Sequence, residues 1–330
     1  MKWYLIYFSE IIIINRQMKV LLTGGTGFIG SHIAKKLSDD GHQVTIMARD
    51  ANKIPALHQL AGIEIVEALL SEFEKVKSIV KGKDALIHVA LDYRDGAVNM
   101  LEHDTLGSVH LFESAAKAGV EQIIYTSSTA SCDFIYMTDY GRNNFAGVTL
   151  DEEIKPRPAT FYGATKAATE MYLMALSYEY DIRMNIIRPG YIFGNPVIEG
   201  ASTQPNSRFK EIVTKIKKNE DITVAHNDGT QFLSAESIAK VYARLLLSNL
   251  NRETFFVLGS KFISWERICQ NLISEIDSTS SLIVKGDVSV GKTSEDFQTF
   301  GVSKLETVLG FKFDNEWESI QNHVHYLLKE

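Results

Sequence analysis

The segment Tyr162-Gly163-Ala164-Thr165-Lys166 sets a phenol and an ammonium four residues apart. On a helix that spacing puts both side chains on one face. An ammonium beside a phenol favours the phenolate. Such a tyrosine can give a proton to a carbonyl that receives hydride, or take one from an alcohol that loses it. Taken alone the pattern is weak, because i,i+4 pairs are common on helix surfaces. Hydroxyls at Thr126-Ser127-Ser128-Thr129, directly after an apolar run, add to it. Ser128 is the choice for a hydrogen bond to a substrate oxygen as charge develops there. Ser127 and Thr129 read as caps of the strand-to-loop transition. No GxSxG elbow surrounds these serines, which argues against a nucleophile. Cys132 reads as a buried bystander thiol.

Upstream lies Thr23-Gly24-Gly25-Thr26-Gly27-Phe28-Ile29-Gly30, between an apolar strand and an apolar-faced helix. Gly24 permits a tight turn, Gly27 lets backbone approach a pyrophosphate, and Gly30 allows close helix–strand contact. Unpaired N–H groups at the helix start would face the phosphates. This unit predicts a dinucleotide site; a Gly-rich turn of an unrelated α/β protein is the bland alternative. The next strand ends Ala48-Arg49-Asp50. An arginine there accommodates a 2′-phosphate, with Lys53 in support, whereas a carboxylate such as Asp50 suits the free ribose. NADP(H) is therefore favoured over NAD(H).

The elements that must position these groups follow a βαβ rhythm. Strands are predicted at Lys19 to Leu22, Val44 to Met47, Ile63 to Val66, Ala85 to Ala90, Gln122 to Tyr125 and Met184 to Ile187. Helices alternate with them, one from about Thr105 to Ala118 stopping at Gly119. Strands alternating with helices imply an α/β doubly wound parallel sheet of the Rossmann type, covered on both faces. Ligands of such sheets sit beyond the carboxyl ends of the strands, where Ser128 falls. After Pro189 the rhythm loosens, and 195–210 reads as a Gly/Pro/Ser/Asn-rich loop. Residues 18–194 are the expected dinucleotide-binding domain, with 236–260 returning to it through Phe255 to Leu258. Residues 195–235 and 261–330 would form a smaller, mixed substrate-binding domain.

Composition narrows the function. At 330 residues, 45% hydrophobic and 23% charged, the chain has ample material for a buried core. A formal charge of −7 and the lack of a basic, aromatic-laced stripe argue against a nucleic-acid partner. Two cysteines and no CxxC or HExxH pattern give no disulfide framework and no metal site. A cytoplasmic protein is the natural reading. The stretch 1–17, with its Ile11 to Ile14 run, is too short and broken to span a membrane. It reads as an N-terminal extension ahead of Met18, or else as an extra edge strand.

These motifs together resemble the extended short-chain dehydrogenase/reductase family, the NAD-dependent epimerase/dehydratase group. The resemblance covers nearly all of 18–330, strongly to about 195. It implies a cofactor fingerprint at Gly24, Thr26, Gly27, Phe28, Ile29 and Gly30, and an adenosine-side contact at His88-Val89-Ala90. It places the catalytic triad on Ser128, Tyr162 and Lys166, with Tyr162 and Lys166 also touching the cofactor. Arg188-Pro189-Gly190-Tyr191-Ile192-Phe193-Gly194 matches the segment that passes beside the nicotinamide. There Pro189 fixes the backbone, Gly190 spares the cofactor a side chain, and Phe193 offers an aromatic wall. Arg49 is similar to the pattern of dihydroflavonol-reductase-like carbonyl reductases.

Departures bear on substrate. Ala68-Leu69-Leu70 replaces the usual Gly-Asp-Leu, and Asp104 replaces the asparagine of the NxxGT segment. No arginine lies in 228–237, where nucleotide-sugar enzymes pair one with the diphosphate, and no Asp-Glu pair follows Ser128. The first expectation is thus an NADP(H)-dependent oxidoreductase acting on a small carbonyl or alcohol. The second is a nucleotide-sugar epimerase or dehydratase with retained cofactor; the third is a non-enzymatic NADP(H) sensor or scaffold. By analogy a homodimer would form through two flanking helices bearing Leu111, Phe112, Met171 and Tyr172.

Overall fold

The computed structural model describes residues 16–204, 206–276, 278–287 and 298–330, so the expectation for the N-terminal extension falls, for residues 1–15, outside the described residues. Seven strands form one parallel sheet: β1 (Lys19–Thr23), β2 (Gln43–Ala48), β3 (Ile63–Glu67), β4 (Ala85–His88), β5 (Gln122–Thr126), β6 (Arg183–Pro189) and β7 (Glu253–Val257). Their order is β7-β6-β5-β4-β1-β2-β3. Leu21 pairs with Thr45 on one side and Leu86 on the other, and Ile124 stands between Ile87 and Asn185.

Successive side chains feed opposite faces, as the twofold repeat of a strand requires. Leu22, Ile87, Ile124 and Ile187 enter one core with α1 (Phe28–Asp39). Leu21, Leu86, Ile123 and Ile186 enter the other with α2 (Phe73–Ile79), α3 (Leu106–Lys117) and α4 (Phe161–Glu179). Both faces being covered, the strands are near-continuous apolar runs.

A third, smaller core holds Phe193, Phe209, Phe232, Trp265, Ile320 and Val324. It is built from α5 (Arg208–Lys217), α7 (Trp265–Glu275) and α8 (Glu316–Lys329). Between them in sequence, α6 (Ala235–Leu246) packs on α1, and β7 joins the main sheet beside β6.

One boundary differs from expectation. The helix expected from Thr105 begins at Ala97 and passes through a π-turn, Leu101–Thr105, before α3. A π-turn inserts a residue and rephases the apolar stripe, so a single 3.6-residue period cannot be followed through it. Among the described residues no helix is long and apolar enough to cross a membrane, and no group of His, Cys, Asp and Glu is placed to hold a metal ion.

Candidate active site

The sheet order reverses at β1, and a cleft of about 580 Å³ opens there beyond the carboxyl ends of β1 and β4. Gly24, Thr26, Gly27, Phe28, Ile29 and Gly30 line it together with Val89 and Ala90. Gly24 sits at φ +73°, and a side chain there would run into the Ala90 nitrogen at 2.6 Å. A Cβ on Gly30 would collide with the Gly24 carbonyl, so α1 reaches β1 only because that residue is glycine. Gly27 caps α1 without a side-chain acceptor, which leaves the first N–H groups of the helix to face the cleft. These features fit a dinucleotide pyrophosphate.

Arg49 and Lys53 line the far end, and Arg49 is 71% exposed in its side chain. Asp50 is turned into its own loop, where its Oδ1 accepts the Asn52 N–H at 2.8 Å.

α4 carries Tyr162 and Lys166 toward the same sheet edge. Its start is anchored by Thr160, whose hydroxyl accepts the Gly163 N–H at 3.1 Å and donates to Asp133. Gly163 has no room for a Cβ, which would strike the Ala130 carbonyl. The helix therefore lies directly on the turn Thr129–Cys132 that follows Ser128. Ser128 Oγ accepts the Ala130 N–H at 3.1 Å, leaving its own proton free to be donated. Neighbouring Ser127 donates instead to Glu170, which is also gripped by Arg188 at 2.7 and 3.0 Å. The serine pair is thus divided, one braced inward and one half-buried with its hydroxyl proton unclaimed.

Lys166 is buried, and its Nζ donates to the Thr126 carbonyl at 3.1 Å. The same ammonium lies 5.2 Å from the Tyr125 ring centre and 6.0 Å from that of Tyr162. Burial alone would weaken its hold on the proton, but Tyr125, Tyr162 and Asp104 outweigh that and leave it above its ordinary value.

His88 links the glycine loop to α3. Ser108 donates to the Asp104 carbonyl at 2.7 Å, so it must accept from His88 Nε2 at 2.9 Å. Nδ1 then accepts from Thr23 Oγ1 at 2.6 Å, and that oxygen accepts the Ala90 N–H at 3.3 Å. Burial, with the Lys166 charge second, drives the imidazole down to about 3 and keeps it neutral.

The description "NAD dependent epimerase/dehydratase family" matches residues 20–259. The chain belongs to that family. A 3β-hydroxysteroid dehydrogenase/Δ5→4-isomerase of Mycobacterium tuberculosis is 28% identical over 186 residues, 54% of this chain. The match spans about half (48%) of that relative's length. A putative UDP-glucose 4-epimerase of Methanocaldococcus jannaschii is 26% identical, over 71% of this chain and 74% of its own. The solved UDP-glucuronic acid 4-epimerase of Bacillus cereus, with UDP-glucuronic acid and NAD, superposes at a TM-score of 0.76. It is 17% identical and covers 94% of this chain and 99% of its own, a likeness of fold.

Within this family member the expected residues divide. Gly24, Thr26, Gly27, Phe28, Ile29, Gly30, Arg49, Lys53, Val89 and Ala90 all line the cleft; Tyr162, Lys166, Pro189, Gly190 and Ile192 lie outside its walls. The space beside Gly190 is filled by the Leu258 side chain. Phe193, expected as an aromatic wall beside the cofactor, is instead buried against Phe209 and Phe232 in the third core. Its position alternates with Ile192 along a short strand and so faces the other way. Cys132 is buried, and burial pushes its thiol up. Of the helix positions considered for a dimer, Leu111 and Phe112 pack on their own sheet, while Met171 and Tyr172 are exposed. Asp92 and Arg94, from a loop whose path no periodicity could trace, and His103 of the π-turn also line the cleft. Asp133 carried no motif to mark it.

Proposed function

We propose that the chain reversibly oxidises a secondary alcohol of a nucleotide sugar, as epimerases and dehydratases of its family do, with a nicotinamide dinucleotide along the glycine-loop cleft. The observation that carries this reading is the buried Lys166 ammonium, 6.0 Å from the Tyr162 ring centre and bonded to Thr126 at the carboxyl end of β5, the strand next to β4. A bound nicotinamide supplies the site that accepts and returns hydride. Tyr162 Oη takes the proton of the substrate hydroxyl and gives it back to the ketone oxygen. Ser128 donates its free O–H to the same substrate oxygen. The family description and the Methanocaldococcus relative support this reading, which the sequence ranks second.

A net carbonyl reduction with NADP(H) is the second reading. Gln231 favours it: where an arginine for a substrate diphosphate is expected nearby, this side chain is committed to Gly259 and Phe300 at 2.8 Å. The family cofactor is NAD. NADP(H) acceptance rests on Arg49 and Lys53 at the far rim of the cleft. A second copy of the chain is the proposed partner, through Met171, Tyr172 and Tyr178 of α4.

Purified protein incubated with UDP-glucose, UDP-N-acetylglucosamine or UDP-glucuronic acid, without added cofactor, should yield an epimer or a dehydrated ketone by NMR. Turnover confined to a carbonyl panel with added NADPH would replace the first reading by the second. Dinucleotide binding with neither activity would leave a sensor.

A further inference from the structure

Farther along α1 than the glycine loop, a second cavity of about 410 Å³ opens between α1, the start of α6, α8 and the segment 193–197. It shares no wall residue with the cofactor cleft. His32 of α1 is on its wall and only 7% exposed. Its Nε2 stands 3.0 Å from the Asn195 carbonyl, an acceptor, so Nε2 carries the proton. Nδ1 is then an acceptor with no partner among the described residues, and it is not sealed from solvent. Burial draws the imidazole below its ordinary value and keeps it neutral, so Nδ1 remains an acceptor. Asn195 also ties the opposite wall, since its Oδ1 lies 2.7 Å from His323 Nδ1 of α8. The site is thus built before any ligand arrives.

Three ammoniums, Lys35, Lys36 and Lys240, line the cavity against two carboxylates, Asp39 and Glu236. Lys35 gives two bonds to Asp39 at 2.6 Å, Lys36 is paired with Asp40, and Lys240 is shared between Asp314 at 2.8 Å and Glu236 at 3.4 Å. An ammonium has three donors, so each keeps at least one for a ligand. The twelve-residue α6 begins at Ala235 on the same wall and adds the positive end of its dipole. A positive surplus beside a bare neutral acceptor suits a molecule that carries both an anionic group and a hydroxyl. The volume is that of an ordinary small-molecule site. We propose that this cavity is a second ligand site for a small hydroxylated anion, a sugar phosphate or a sugar acid. Its anionic group meets Lys35 and Lys240, and a hydroxyl donates to His32 Nδ1. The proposal does not depend on the reaction assigned to Tyr162.

The test is calorimetric titration of the full chain with glucose 1-phosphate, gluconate and glucose, in saturating NADH. One of the two anions should bind with one-to-one stoichiometry, and which one does so separates a phosphate source from a carboxylate source. Lys35→Gln combined with Lys240→Gln should weaken that anion about tenfold, through two lost charge-assisted bonds. His32→Phe keeps a ring against Phe28 and removes the acceptor, and should weaken it about fivefold. If the phenylalanine variant does not fold, the lysine variant decides, since both lysines are partly exposed at the surface. Tyr162→Phe should leave the affinity unchanged. Absence of binding by both anions, or equal affinity in the lysine variant, overturns the proposal. So does glucose binding as tightly as the anions, or a loss of binding in Tyr162→Phe, which would place the ligand in the active site.

Discussion

Tyr162 and Arg49 answer different questions about one bound cofactor. If Tyr162 moves the substrate proton, Tyr162→Phe should lower turnover by about two to four orders of magnitude. Dinucleotide affinity, read by calorimetry, should stay within about twofold, since the glycine loop and not the phenol binds the pyrophosphate. Undiminished turnover would remove the role. Arg49 is exposed, held only loosely by Asp92 at 3.9 Å, and free to meet a phosphate. A charge-assisted contact of that kind is worth about 1.5–3 kcal/mol. Arg49→Ala should therefore weaken NADPH at least about tenfold and leave NADH nearly unchanged; equal losses for both would sink the 2′-phosphate assignment. The sequence singles out both residues by type and by offset from the glycine loop; the structure places Arg49 on the cleft wall and Tyr162 outside it. Asp133 was not legible as part of the site: it acts through a helix start 27 residues away, a relation that leaves no periodic trace.

Among the secondary-structure elements, the sheet was the most readable part, since strands buried on both faces must be apolar throughout. The edge strand β7 is less so: Glu253 and Thr254 are partly exposed, and a short apolar run after a long interval suits several places in a fold. The contact of α4 with the Ser128 turn lay beyond sequence reasoning, because it depends on a missing side chain at Gly163. That contact can be tested by the sign of one substitution. Gly163→Ala should gain up to about 1 kcal/mol of helix propensity. Against this, the new methyl meets the Ala130 carbonyl, and overpacking of that kind costs about 1–3 kcal/mol. The collision should win, since the neighbour is backbone and cannot swing away. Melting temperature and kcat should both fall, because Ser128 is displaced relative to Tyr162, while dinucleotide affinity holds. A stabilised variant would show that the helix does not rest on the turn.

For the molecule as a whole, the exposed apolar side chains of α4 and the buried histidines make separate demands. Tyr178 is 67% exposed and Met171 58%, on a helix whose other face is buried. If a second copy covers them, Met171→Lys should shift the light-scattering mass from two chains to one, and a wild-type monomer would end the idea. The histidines set a pH dependence. His323 Nδ1 lies 2.7 Å from Asn195 Oδ1, an acceptor, so Nδ1 carries the proton and the buried Nε2 has no partner among the described residues. A second proton would enter an apolar aromatic core, and burial holds His323 to about 4, as it holds His88 to about 3. Unfolded, each would protonate near its ordinary value of about 6.5. Below that pH the unfolded chain binds more protons than the folded one, so stability must fall as pH falls; above it neither group contributes. The loss per histidine approaches about 1.4 kcal/mol for each pH unit until the folded value is reached. His323→Gln keeps a donor for Asn195 and removes the titration. Between about pH 6 and 5 its unfolding free energy should decline less steeply than wild type by about 1 kcal/mol per unit. Equal slopes would mean that His323 is protonated within the folded core, which the geometry around Nε2 does not allow.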